Sequence, residues 1–288
     1  MAEELTPHFE DIQAHYDLSD DFFRLFLDPT MTYSCAYFDR LRDIPLEQAQ
    51  LAKIDLSLTK LGLRPGMTLL EVGCGWGSTL RRAVEKYDVN VIGLTLSQNQ
   101  AAHVEKLLDA MDTGRSRRVL LKGWEQFDEP VDRIVSIGAF EHFGYDRYDD
   151  FFEMAYRVLP ADGVMLLHTI TMLTLPQMVE RGLPWSDELA SFNEFIGTEI
   201  FPGGQLPAIE MVEFHAAKAG LNLNRRQSMQ LHYAKTLDHW AAALQAHRDQ
   251  AIEIQSEEVY QRYMKYLTGC ADAFRSGHID VNQFTLAK

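Results

Sequence analysis

An α/β protein built on a doubly wound, mostly parallel sheet is the fold class the sequence predicts, and three observations carry that prediction. Between residues 67 and 171, five short apolar segments alternate with segments of helical periodicity. Those segments are nearly continuous in apolar character, as strands buried on both faces must be. A glycine-rich turn, EVGCGWGS at 71–78, joins the first of them to the first helix of the series. Such turns let the backbone bend sharply and let a ligand approach it closely.

Taken in order, residues 8–27 interleave acidic positions with His8, Phe9, Tyr16, Phe22, Phe23 and Phe26. Helical spacing sets these aromatics along one face, so an amphipathic N-terminal helical segment is expected, stopped by Asp28-Pro29. A second helix over 46–61 ends at Gly62, ahead of a Pro65-Gly66 turn. Strands are predicted at 67–73, 90–96, 118–123, 131–138 and 163–171, with helices at 78–87, 98–110 and 147–158. Residues 172–206 break the rhythm with large apolar side chains and end in the PGG of 202–204. An insertion after a central strand lies near the carboxyl edge of the sheet, where such folds bind ligands. It reads either as a helical excursion packing its own apolar face or as a lid for an apolar substrate. Helices near 208–219, 236–247 and 256–275, then the stretch IDVNQFTLA, close the fold. With no repeat, low-complexity tract or linker, 1–288 reads as one domain, with 1–62 as a helical cover and 172–206 as a lid-like insertion.

Composition narrows the function classes. Apolar residues make up 46% and charged residues 24%, an ordinary globular balance. A net charge of −15 opposes nonspecific binding to nucleic acid or anionic lipid. The runs RSRR (115–118) and Arg225-Arg226 read as solvated surface. MAEELTPHFE has no apolar core for a secretory signal, and the apolar stretch 163–175 is too short to span a bilayer. Cys35, Cys74 and Cys270 form no CxxC pair, which opposes a zinc knuckle or disulfide scaffold and suits a reducing cytoplasm. A cytoplasmic protein without integral membrane association is expected.

Two stretches carry chemistry. The glycine loop reads ExGxGxG. A dinucleotide fingerprint would read GxGxxG with an acid about 20 residues on, but the second strand ends at Thr95. In IVSIGAFEHFGYD (134–146), a buried strand runs straight into Glu141-His142, and a polar group there must be paired or have work to do. A metal set of Glu141, His142 and His168 lacks a compelling ligand spacing, so no metal is expected.

The loop resembles the first motif of class I S-adenosylmethionine methyltransferases, which have a Rossmann-like fold. A narrower resemblance covers nearly the whole chain. YSCAYF (33–38), EVGCGWG (71–77), GLTLSQNQ (93–100), GWEQF (123–127), SIGAFEHFG (136–144), EIFPGG (199–204) and YMKYLTGC (263–270) together resemble the mycolic acid cyclopropane synthases. The resemblance implies that Tyr33, Ser34 and the backbone around Gly73 and Gly75 hold the methionine part of S-adenosylmethionine, with Glu71, Trp76 and Gly77 completing the loop. It puts Thr95 and Gln100 where a ribose-binding acid usually stands, and Trp124 and Glu125 beside the adenine.

It also implies a long unsaturated, meromycolate-type acyl chain, delivered on acyl carrier protein, whose cis double bond becomes a cyclopropane. An alkene needs no activating base at the first step. Closing the ring requires precise placement, stabilisation of positive charge and a dry site. Tyr16, Tyr33 and Tyr233 are the cation-facing aromatics, with Tyr266 a weaker candidate. A glutamate near a sulfonium is held ionised and made less basic. In the resembled family the base is a bound bicarbonate, and the match puts its ligands at Glu141, His168 and Tyr233 with backbone groups near Cys35 and Ile137. Cys270 is expected to line the pocket without acting as a nucleophile. Arg225 and Arg226 are candidate docking residues for the acidic carrier. The competing readings are a sister methyltransferase giving methyl-branched or hydroxylated products, and a non-catalytic acyl-chain or acyl-carrier binding protein.

Overall fold

The structure, a computed structural model, describes residues 19–183 and 185–288. His8 and Tyr16 lie outside them. Seven strands form one sheet: β1 (Thr68–Val72), β2 (Asn90–Thr95), β3 (Arg117–Leu121), β4 (Arg133–Ile137), β5 (Val164–Met172), β6 (Asn222–Ser228) and β7 (Ile279–Ala287), in the order β3-β2-β1-β4-β5-β7-β6. The first five are parallel. β7 runs antiparallel to both β5 and β6. The chain starts at β1, winds outward to β3 and returns to β4, so the carboxyl ends of β1 and β4 flank the crevice where such sheets bind ligands.

Successive strand residues face opposite layers. Leu69, Val91, Val135 and Leu166 pack under the helices Leu46–Lys60, Ser78–Tyr87 and Gln98–Asp109. Leu70, Ile92, Ile134, Met165 and Leu167 face the other layer, with the helices Tyr148–Val158 and Ile209–Lys218. A third core forms beyond the sheet. There Phe22, Phe23 and Phe26, on and after the short helix Asp20–Arg24, meet Trp240 of the helix Gln230–Ala246 and Tyr263 of the helix Glu257–Ser276. The Phe22 and Tyr263 rings stand edge to face, with centroids 4.9 Å apart.

The structure extends the expected five strands to seven. β6, NLNRRQS, is an edge strand with nearly every residue exposed, so it carries no apolar alternation. β7 is buried but carries Asn282 and Gln283 at its centre, which masks the strand pattern. The helix expected from 236 begins at Gln230.

Candidate active site

Two cavities meet at the carboxyl edge of the sheet. The first is a polar cleft of about 1000 Å³, mouth included, over the ends of β1, β2 and β4. Its floor is the glycine loop, where Gly73, Gly75 and Gly77 have φ of +80°, +53° and +84°. At Gly73 a side chain would also collide, since a Cβ would stand 2.4 Å from the Cβ of Ala139. Gly77 caps the start of the helix Ser78–Tyr87 without a side chain, which sets the positive end of that helix beside the loop. Glu71, 2% exposed at the end of β1, faces the start of that helix, where Thr79 and the Leu80 backbone favour its charged form, and its Oε2 has no hydrogen-bond partner.

Thr95 ends β2, and its hydroxyl donates to Gln100 Oε1 at 2.8 Å, leaving the Gln100 amide nitrogen as a donor. Trp124 opens a single turn and packs edge-on to Phe151. Glu125 beside it pairs with Arg147 at 3.2 Å. Trp76 borders the cleft too, but its ring lies 5.4 Å from Phe23 and its Nε1 donates to Asp20, so it ties the N-terminal helix to the glycine loop.

The second cavity is apolar, about 1650 Å³ with its mouth, and is walled by the insertion, the helix Glu257–Ser276 and β7. Residues 172–206 fold as the helices Leu175–Glu180 and Asp187–Phe195, followed by a π-turn at Ile196–Ile200. Met178, Leu189, Phe192 and Ile196 form its wall. Gly269 lets Phe192 lie against the last helix, because a Cβ there would fall 2.3 Å from the ring. The end of the insertion is latched to the turn that carries Glu141, with Gln205 N donating to Glu141 O at 2.8 Å.

Four residues, Tyr33, Ser34, Gly138 and His142, border both cavities, so the cleft and the apolar space share one wall. Just inside the apolar space stand Glu141, His168, Tyr233 and Cys270. Glu141 Oε1 accepts from Ile170 N at 2.7 Å, while its Oε2 is buried without a hydrogen-bond partner. His168 Nε2 is likewise buried and unpartnered. Burial pushes the Glu141 carboxyl up and, with the positive charges of Lys53 and Lys60, holds His168 well below its usual range. The Tyr233 hydroxyl is raised by burial and by the nearby Tyr266, Cys35, Glu141 and Cys270. Burial also pushes the Cys270 thiol up to about 12 and raises Cys35 further, so neither is an activated nucleophile.

Comparison with known proteins matches residues 3–284 to the family described as mycolic acid cyclopropane synthetase. The chain is 72% identical over its full length, and that of the relative, to cyclopropane mycolic acid synthase MmaA2 of Mycobacterium tuberculosis, and 69% identical over both full lengths to cyclopropane mycolic acid synthase 1 of the same organism. Among solved structures, cyclopropane synthase MmaA2 from Mycobacterium tuberculosis superposes with a TM-score of 0.97 at 73% identity, covering 99% of this chain and all of that one. Mycolic acid cyclopropane synthase CmaA1, complexed with SAH and CTAB, gives 0.96 at 70% identity over 99% of this chain and all of that one.

The chain belongs to the mycolic acid cyclopropane synthetase family. It is therefore an S-adenosylmethionine-dependent methyltransferase with the Rossmann-like fold of that class.

Of the site residues expected for such a synthase, all but Tyr16 fall among the described residues, and all of these but Gly77 line one cavity or the other. Tyr33 is held between Phe23 and Trp240, at 5.3 Å from each, and its hydroxyl donates to Tyr266. Ile137 borders the polar cleft, whereas its neighbour Gly138 reaches both spaces. Among the described residues, Glu141, His142 and His168 form no metal-holding group. Of the basic runs, Arg115 pairs with Asp88 and Arg118 with Glu129, while Arg226, on the edge strand, contacts Asn282 of β7 and Glu213 of the helix Ile209–Lys218.

Sequence reading missed a polar stripe. Gln50, Lys53, Ser57 and Lys60 lie on one face of the helix Leu46–Lys60, and the first three are buried. Gln50 holds the Thr32 and Ser34 carbonyls, and Lys53 Nζ donates to Ser34 Oγ at 2.7 Å. Ser57 and Lys60 reach Gln283. Polar residues at i, i+3, i+7 and i+10, where a packed helix should be apolar, are the signal that could have found it.

Proposed function

We propose that the enzyme adds a methylene from S-adenosylmethionine across a cis double bond of a long, unsaturated, meromycolate-type acyl chain, leaving a cyclopropane. The observation that carries this reading is the shared wall at Tyr33, Ser34, Gly138 and His142, where a polar cleft meets an apolar cavity. One space suits a charged nucleotide cofactor and the other a hydrocarbon, and they touch only where a methyl would pass. The relative solved with SAH and CTAB, a demethylated cofactor and a single-chain alkylammonium surfactant, supports the same division.

The polar cleft fits the cofactor. Gly73 and Gly75 leave room for close approach, Thr95 and Gln100 offer neutral hydrogen-bonding groups for a ribose, and Trp124 and Glu125 line the base end. S-adenosylmethionine supplies a methyl on a positively charged sulfur. What this chain adds is placement, dryness and charge control. The aromatic Tyr33, Tyr233 and Tyr266 line a wall that can face a cation without reacting with it. Met178, Phe192 and Ile196 exclude water that would otherwise capture that cation and give a hydroxylated product.

The same cavity fits a small oxyanion. Glu141 Oε2 and His168 Nε2 are buried polar atoms of its lining without a partner, as is His278 Nε2, and the Tyr233 hydroxyl lines it with them. Two ammonium groups, Lys53 and Lys60, act on His168, and the same positive potential favours an anion beside it. Glu141, His168 and Tyr233 would hold a bicarbonate there, which would supply the base for the last proton. Delivery on an acyl carrier protein needs a basic contact, and Arg225 on the exposed strand β6 is the candidate, since Arg226 is already engaged.

The test is incubation with S-adenosylmethionine and an unsaturated acyl-carrier substrate, followed by mass spectrometry and product NMR, with and without bicarbonate depletion. The expected product is heavier by one methylene, carries a cyclopropane, and falls in yield as bicarbonate is removed. A methyl-branched or hydroxylated product would assign the sister chemistry instead. Unchanged substrate on a verified carrier would sink the reading.

A further inference from the structure

Gln283 is fully buried at the centre of β7, directly across from His168 on β5 in the antiparallel register. Its side-chain amide is bonded at both ends. The carbonyl Oε1 accepts from the Lys60 ammonium, and the amide nitrogen donates to Ser57 Oγ at 3.0 Å and to His168 Nδ1 at 3.1 Å. Ser57 in turn donates its own proton to the Lys53 carbonyl at 2.8 Å, so its oxygen is an acceptor toward Gln283.

This pattern leaves no freedom in the direction of the bonds. A lysine ammonium only donates, so the amide oxygen must face Lys60; a flipped amide would set NH₂ against NH₃⁺. The nitrogen end therefore faces His168, and Nδ1, receiving a proton donor, must be the bare acceptor nitrogen of the ring. A neutral imidazole with a bare Nδ1 carries its proton on Nε2. His168 is 1% exposed, and burial together with two nearby cations keeps it neutral. Its Nε2 is the atom left without a partner, on a residue that lines the apolar cavity beside Glu141.

We infer that Gln283, oriented by Lys60 and Ser57, is a positioning residue that locks His168 as the Nε2–H tautomer, so that His168 can only donate a hydrogen bond into the cavity. The inference deepens the anion-site reading above and rests on it for its catalytic consequence. A neutral donor strengthens an anion's seat without protonating it, which is what a base in that seat requires. The lysine–amide–imidazole chain also polarises each bond in the same sense, each link sharpening the next. With its proton on Nε2, the ring has no lone pair for a metal at that atom.

The experiment is histidine-selective ¹⁵N labelling of the full-length protein with two-bond proton–nitrogen correlation at pH 7. The sequence has ten histidines, so His168 is assigned by the signal lost in His168→Gln. The expected spectrum shows a protonated Nε2 and a bare Nδ1. Gln283→Glu keeps the shape but replaces the donor with an acceptor, so Nδ1 becomes protonated and product formation falls at least tenfold. The S-adenosylhomocysteine Kd stays within about twofold of the parent. Lys60→Met releases the amide without touching Gln283 or His168, and gives a mixture of the two tautomers. A parent protein with Nδ1 protonated overturns the lock, as does an unchanged His168 signature in a folded Gln283→Glu variant. A tautomer that moves as stated while turnover is undiminished leaves the lock standing and sinks the anion site instead.

Discussion

The polar cleft and the apolar cavity share a wall but are built by opposite means. The cleft is assembled from short contiguous segments at the ends of β1, β2 and β4, each fixed by backbone geometry: positive-φ glycines, a helix N-terminus and strand-end hydroxyls. The apolar cavity is assembled from side chains scattered between Tyr33 and Val281 and is held by packing. Backbone-built sites tolerate little and fail sharply, whereas packing-built sites yield by degrees. The cleft should therefore be destroyed by one atom in the wrong place, and the cavity should be retuned by the loss of a whole ring.

Gly73→Val makes the strongest form of that claim. It forces a β-branched residue to φ +80° and drives its Cβ into Ala139. Affinity for S-adenosylmethionine should fall more than a hundredfold, about 3 kcal/mol or more, read by calorimetry. Binding of a long-chain acyl probe should persist in the same variant, and its simultaneous loss would show that the two spaces are one cooperative unit.

Glu141→Gln tests the apolar space just inside the shared wall. The amide oxygen still accepts from Ile170 N, so the turn stays folded, but the charge and the carboxyl chemistry are gone. Turnover should fall about a hundredfold, the scale of a proton-transfer contribution, with cofactor Kd unchanged. Undiminished cyclopropane output would remove Glu141 from the mechanism.

The same contrast explains what the sequence made legible. The cleft could be read residue by residue, because Glu71 to Gly77, Thr95 to Gln100 and Trp124-Glu125 are local motifs whose order in the chain is their order in space. The five parallel strands were equally plain, since continuous apolar runs have one common explanation. The cavity was legible only as an apolar excess in 172–206, because its wall needs Phe192 to meet Gly269 across a long sequence separation. The antiparallel end of the sheet was not legible: β6 is exposed and polar, and β7 hides its periodicity behind Asn282 and Gln283. Lys53, Ser57 and Lys60 look like the solvated side of an ordinary helix until the fold turns them inward.

Glu71→Gln asks how much strain the cleft floor stores as charge. Burial pushes the Glu71 carboxyl from its ordinary 4.5 up to about 8 and the Lys53 ammonium down to about 8. A carboxyl whose folded pKa is raised contributes its full stability below the unfolded value and loses it as pH climbs toward the folded one. The parent should therefore lose stability from this group between about pH 4.5 and pH 8, and the amide should not. Denaturant midpoints at pH 5 and pH 8 should show the variant gaining on the parent by on the order of 2 kcal/mol. A pH-independent gap would mean that Lys53 keeps Glu71 ionised in the folded protein.

Phe192→Ala has the smallest expected effect and probes the cavity on its own terms. Removing the ring strips apolar wall from the acyl-chain space without touching Glu141, His168 or the cleft. The loss of contact with a bound chain should be about 1.4 kcal/mol, a tenfold rise in KM for a long-chain substrate with kcat and cofactor Kd near the parent values. Gly269→Ala attacks the same contact from the other side, since its Cβ would meet the Phe192 ring at 2.3 Å. Alone it sets a helix-favouring residue against a steric clash. Placed in Phe192→Ala, the clash has nothing to act on, and the extra methyl occupies part of the space the ring left. Thermal midpoints of the two single variants and the double should then be non-additive in the favourable direction. Strict additivity would show that Phe192 and Gly269 do not press on one another, and the wall would have to be held by other contacts.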